Sequence, residues 1–173
     1  LQSCSRDVYN NNNNTSAIRG WDFNTAEHVV TVLLETLVAL HQSGLTHGDL
    51  YGHNLLVAPC HNDNNDHDIT SCSKVRIKLS DFGAAYAYDR TAAYAPYVEA
   101  AEVRAFGVLV EEINQYVIQQ PSILLNKLVQ ACHATNSQTF DHVLIAWRKW
   151  QLSAMAKAFD PDVDDDEKKV NEE

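Results

Sequence analysis

Basic residues are scarce in this chain of 173 residues, where 13 Lys and Arg stand against 23 Asp and Glu for a net charge of −10. A protein that grips nucleic acid needs a basic stripe to neutralise phosphates, so nucleic acid is excluded as a general partner. Cysteine is also sparse, and Cys4, Cys60, Cys72 and Cys132 include no C-x-x-C pair. That pattern excludes the disulfide framework of a small secreted scaffold and points to a reducing, cytoplasmic setting. No apolar run approaches the roughly 18 residues that a membrane span requires, and no secretory leader pattern stands at the start. No membrane span is therefore expected. The chain begins at Leu1 rather than Met, which is read as the mark of a fragment, a processed chain or an incomplete gene model.

What is present suffices for a core, since 45% of the residues are hydrophobic and 173 residues bury a substantial interior. The acidity is uneven. Residues 160–173 hold eight acids and two bases, so most of the net charge belongs to a solvated tail. Its Asp160-x-Asp162-x-Asp164 spacing lacks the glycine and glutamate of a calcium loop. Residues 1–24 contain the run Asn10 to Asn14 and read as a disordered stretch or linker. The folded unit is expected over 25–159, interrupted by a polar, low-complexity insertion at 59–74. Cys60, His61, Asp63, Asp66, His67, Asp68 and Cys72 fall inside that insertion, without the paired spacing of a zinc site.

Periodicity supplies the elements. Val30, Leu33, Leu34, Leu37, Val38 and His41 recur at helical spacing, with Thr25 as expected N-cap and Gly44 as a left-handed stop. Leu55 to Val57 and Val75 to Leu79 read as two strands of a hairpin around the insertion. A stretch without periodicity, expected to be flexible, follows from Gly83 to Pro96. A second helix is expected from about Val98 to Val117, with Val103, Phe106, Val110 and Ile113 on one side. A third opens at Pro121 and carries Leu124, Leu125, Leu128, Val129 and Cys132. The last spans about Phe140 to Phe159. The fold class is α+β, mainly α, with one short β-hairpin.

Three segments carry the chemistry. His47-Gly48-Asp49-Leu50-Tyr51-Gly52-His53-Asn54 joins the first helix to the first strand, Asp81-Phe82-Gly83 follows the second strand, and Glu102-Val103-Arg104-Ala105-Phe106-Gly107 lies within a long apolar helix. In this order they resemble the C-terminal lobe of the protein kinase superfamily: the catalytic loop H-x-D-L-x-x-x-N, the metal motif D-F-G, and the acid-led stretch of the lobe's central helix. The likeness is to atypical, tyrosine-kinase-like domains, among them those appended to leucine-rich-repeat proteins. It runs from about Thr25 to Trp150.

The resemblance implies ATP-dependent phosphoryl transfer to a protein hydroxyl. Catalysis of that reaction is mostly positioning and charge neutralisation. Asp49 would take or orient the substrate hydroxyl proton. Asn54 and Asp81 would hold Mg²⁺ with hard oxygen ligands, and Gly83 would complete the nucleotide–metal motif. His47 is expected to pack beneath the loop, and Glu102 to brace it. Departures from the family are instructive. Gly48 stands where most kinases carry the arginine that receives an activating phosphate, so switching by that route is not expected. No A-P-E follows Gly83, and Ser137-Gln138-Thr139-Phe140 lacks the arginine that normally pairs with its glutamate. Tyr51 replaces a lysine typical of serine/threonine kinases. No G-x-G-x-x-G precedes the first helix, so the chain reads as a C-lobe without its nucleotide-binding roof. Two further functions fit these residues: a small-molecule phosphotransferase of the aminoglycoside- or choline-kinase kind, whose metal motif differs from Asp81-Phe82-Gly83, and a non-catalytic pseudokinase module.

Overall fold

The structure is a computed structural model and describes residues 2–3, 21–59, 75–115, 117, 122–134 and 139–159. It is mainly helical, with four α-helices and two small antiparallel sheets among these residues. The asparagine run, residues 60–74, Pro121 and the acidic tail lie outside the described residues. So do the clustered Cys and His residues of the insertion.

Helix α1 (Phe23–Gln42) is the spine of the core. Its cap is Asp22 rather than Thr25: Asp22 Oδ1 accepts the Thr25 N–H at 2.6 Å, so the acid three residues ahead satisfies an orphan donor of the first turn. Every residue of the expected apolar stripe is buried, His41 included. Gly44 ends the helix with φ +69°. A side chain there would meet the Tyr88 carbonyl at 2.8 Å. Helix α1 is also long and apolar enough, by length and composition, to cross a membrane, with mean hydropathy 1.3. The same apolar residues are the centre of the hydrophobic core in this fold.

Two short strands follow. β2 (Leu45–Thr46) pairs antiparallel with β5 (Tyr86–Ala87), Leu45 opposite Ala87 and Thr46 opposite Tyr86. β3 (Leu55–Pro59) and β4 (Val75–Leu79) form the expected hairpin, in register from Leu55 opposite Leu79 to Pro59 opposite Val75. Of the insertion read at 59–74, Pro59 is thus the last residue of a strand. β1 (Gln2–Ser3) adds to the free edge of β3, although it lies in the stretch read as linker; an unpaired strand edge offers backbone groups to any nearby segment.

The stretch from Gly83 to Pro96 is structured where flexibility was expected. A 3₁₀ turn (Phe82–Ala84) and β5 occupy its first part. Tyr88 N–H donates to the Gly44 carbonyl at 2.8 Å. Backbone pairing leaves no side-chain period, which is why the sequence is silent there. Helix α2 (Ala95–Gln115) starts three residues earlier than expected, with Pro96 in the first turn, where its missing N–H has no helical partner to lose. Val103, Phe106, Val110 and Ile113 are all buried, as their spacing predicts.

Helix α3 (Ile123–His133) is capped by Ser122, whose hydroxyl accepts the N–H groups of Leu124 and Leu125. It packs closely on α2 because residue 107 is glycine. A Cβ there would come within 2.7 Å of both Cys132 and His133. Helix α4 (Phe140–Phe159) returns across α1, and the buried Trp147 donates its indole N–H to Thr31 Oγ1 at 2.9 Å.

Cys132 lies in the α2–α3 seam, and burial pushes its thiol up to about 12. An unfolded thiol titrates near 8.5, so raising the pH through that value favours the unfolded chain, and stability falls progressively towards pH 12. At pH 8 iodoacetamide is expected to leave Cys132 unmodified in the folded protein and to alkylate it in urea, as read by peptide mass spectrometry. Equal labelling in both states would mean that the seam opens freely.

Candidate functional site

The register of the β3–β4 hairpin determines what meets at its open end. Leu55 opposite Leu79 puts Asn54 across from Ser80, so Asp81 lies one residue beyond. Ser80 seals this end. Its N–H and its hydroxyl both donate to the Asn54 carbonyl, at 2.8 and 2.9 Å. Asn54 is buried, and its amide nitrogen donates to the Asp49 carbonyl at 2.8 Å and to Asp49 Oδ2 at 3.0 Å. With the nitrogen end held by Asp49, the oxygen end is the one left for a cation.

Asp81 is the one non-glycine residue with positive φ among those described, at φ 59° and ψ 71°. That left-handed conformation is costly for a residue with a Cβ, and such strain concentrates at functional sites. The Gly83 N–H donates to Asp81 Oδ1 at 3.2 Å, so Gly83 acts here as a support for the Asp81 carboxylate. Asp49, Asp81, Phe82 and Gly83 are all exposed.

His47 is wholly buried beneath the loop. Its Nδ1 accepts the Asp49 N–H at 3.3 Å, which leaves Nε2–H to donate to the Ser80 carbonyl at 2.9 Å. The same ring takes Phe82 edge-on at 4.7 Å between centroids. One imidazole therefore touches the loop of Asp49, the residue before Asp81 and the residue after it.

Glu102 reaches the loop from α2. Its Oε1 accepts the N–H groups of His47 and Gly48, at 2.8 and 2.7 Å, and its Oε2 stands 2.5 Å from His41 Nε2. Gly48 has φ +79°, and a Cβ there would lie 2.3 Å from the Ala84 carbonyl oxygen. The Asp49 loop and the turn after Asp81 are thus in backbone contact, possible only without a side chain at residue 48. Tyr51 is half exposed and stacks obliquely on His53, 5.2 Å away.

Beyond the turn the chain is pinned. The Tyr88 hydroxyl donates to Glu99 Oε1 at 2.8 Å, and the Arg90 guanidinium lies 3.7 Å from the same oxygen. Burial, and then the Glu99 carboxylate, hold the Tyr88 hydroxyl well above the usual phenol range.

The donor pair of Asn54 and Asp81 offers oxygens, which suit a hard cation such as Mg²⁺. Asn54 is held in the right orientation, and the Asp81 carboxylate is exposed and braced. The residues therefore fit the metal that the resemblance implies, although no group of three or more His, Cys, Asp or Glu side chains converges among the described residues. One hollow lies elsewhere. It measures about 860 Å³, sits between the starts of α1 and α3 and the end of α4, and is lined by Phe23, Leu124 and Met155. Its carboxylate, Glu27, accepts from Gln151 Nε2, which leaves an apolar groove without a reactive cluster. A smaller hollow of about 190 Å³ adjoins Gly48 and Leu50.

Sequence reasoning missed two residues that hold this site. Ser80 is legible only through the hairpin register, and His41 reads from periodicity as one more position on an apolar stripe. No protein-family model matches the chain, and no curated protein sequence matches it.

Proposed function

We propose that the chain is the catalytic-loop half of a protein-kinase-like phosphotransferase, acting on a protein hydroxyl with ATP as phosphoryl donor. The observation that carries this proposal is the junction at the hairpin end, where Asn54 is bonded to Asp49 and the strained Asp81 follows Ser80 directly. Aspartate is among the few residues with a Cβ that enter the left-handed region, and here its carboxylate takes the Gly83 N–H while the residue stays exposed. Asp49 accepts the proton of the attacking hydroxyl. The hydroxyl oxygen bonds to the γ-phosphorus as the bond to the β–γ bridging oxygen breaks, and ADP leaves. Mg²⁺, held by Asn54 and Asp81, would supply charge neutralisation at the phosphates. Asp81-Phe82-Gly83 favours a protein substrate over a small-molecule one.

Constant assembly, without a phosphorylation switch, follows from the same residues. Gly48 offers no guanidinium, and the segment after the turn is tied down by β2, Glu99 and Gly44.

The test is γ-phosphate transfer from Mg-ATP by the protein that carries this chain together with a nucleotide-binding lobe. Asp49→Asn is expected to reduce transfer by at least about 100-fold, the scale of a lost general base. Asp81→Gly separates function from fold. It is expected to abolish transfer while leaving stability within about 1 kcal/mol, because glycine tolerates the left-handed backbone. A folded wild-type protein that binds Mg-ATP and transfers nothing would make the domain an interaction module.

A further inference from the structure

His41 is a polar residue set into the middle of the core, 2% exposed. Its ring is packed edge-on against Phe140 at 4.7 Å and Tyr88 at 5.9 Å between centroids. Nε2 meets Glu102 Oε2 at 2.5 Å. A carboxylate brings no proton to that contact, so the ring carries it on Nε2. Nδ1 is the one buried side-chain nitrogen or oxygen without a partner among the described residues. A buried group with half its bonding capacity unused is unfavourable. A leucine would fill the same space without that penalty, so packing alone does not account for histidine here.

Its geometry relative to the loop does. The other oxygen of the same carboxylate accepts from His47 and Gly48, the two residues directly before Asp49. Glu102 hangs on a flexible side chain, and a carboxylate free to rotate would not hold two backbone donors on one oxygen. Fixing Oε2 fixes Oε1. We infer that His41 is a positioning residue for Asp49, acting through Glu102 across α1, α2 and the loop. What the positioned loop does rests on the phosphotransferase proposal; the coupling itself does not, and its test uses no catalysis.

The test is native-state amide hydrogen exchange, read by NMR on the full chain. Gln places its amide nitrogen near the position of His Nε2, whereas Asn places its nitrogen near that of Nδ1. His41→Leu and His41→Asn are expected to speed exchange at His47 and Gly48 by about 10- to 100-fold beyond any change at Leu34 and Phe106, the span of one charge-assisted hydrogen bond. His41→Gln is expected to restore those two amides to within about threefold of wild type. If His41→Leu fails to fold, the contrast between Gln and Asn decides alone. A rise shared equally by Leu34 and Phe106, or equal rescue by Asn and Gln, would reduce His41 to an ordinary core residue and overturn the inference.

Discussion

Replacing Gly48 with alanine is expected to lower the unfolding free energy by about 3 kcal/mol or more. Two terms add. A left-handed backbone costs an L-residue about 1–2 kcal/mol, and forcing atoms into a filled space costs about 1–3 kcal/mol. The second term is near its upper end here, because the obstacle is the Ala84 carbonyl oxygen at 2.3 Å and a backbone group cannot swing aside like a side chain. Gly44→Ala provides the internal comparison. It has the same hand of backbone, φ +69°, and also meets a carbonyl, but at 2.8 Å, so it should destabilise less. Gly48→Arg should be at least as damaging as alanine. Supplying the arginine that most kinases carry would not confer a phosphate-operated switch here. Against a total stability of about 5–15 kcal/mol, these are large fractions. Urea unfolding should show the midpoint falling at constant slope, in the order wild type, Gly44→Ala, Gly48→Ala. An unchanged midpoint for Gly48→Ala would mean that the loop and the turn after Asp81 are free to separate, and that the two halves of the site are not held in register.

Much of the fold was legible because most of its helices bury one face. The stripes on α1 and α2 needed only helical periodicity, and the α4 limits at Phe140 and Phe159 agree with the structure. The hairpin strands were legible from a short apolar run and from alternation, and with them the proximity of Asn54 and Asp81. The illegible parts depend on groups that every residue carries. β5 is held by backbone bonds to Leu45 and Thr46, which no side-chain pattern records. The α1 start was displaced because Asp22 and Thr25 are both good caps and the structure uses Asp22. His41 illustrates a deeper limit. Helical spacing told that it faces inward, but the partner that gives it meaning, Glu102, is brought near by tertiary packing of α2. The bracing role of Glu102 was open to analogy with an aspartate at that position. The short contact to His41 was not.

The largest electrostatic effect is expected at Glu102. Removing its carboxylate in Glu102→Ala strips the acceptor from three donors at once: the N–H groups of His47 and Gly48 and the Nε2–H of His41. Breaking a buried pair by deleting one partner costs about 3–5 kcal/mol, and a loss of this size is expected. Glu102→Gln is the more informative variant, since its shape is unchanged and only one oxygen becomes a nitrogen. Two backbone donors cannot face that nitrogen, so the amide oxygen must keep the loop and the nitrogen must turn towards His41. A donor then faces a donor unless His41 moves its proton from Nε2 to Nδ1. Nδ1 is buried without an acceptor, and an orphaned buried N–H costs about 1–3 kcal/mol. Glu102→Gln should therefore lose about 2 kcal/mol, less than alanine. Nitrogen chemical shifts of the His41 ring should report the proton on Nε2 in the wild type and on Nδ1 in the variant. Glu102→Asp keeps the charge but shortens the side chain by one methylene, so it cannot span both the loop and His41; its loss should lie between wild type and alanine. A Glu102→Gln protein with wild-type stability and an unmoved His41 proton would show that the carboxylate is dispensable. The loop that carries Asp49 would then have to be held by the hairpin end alone, through Asn54 and Ser80.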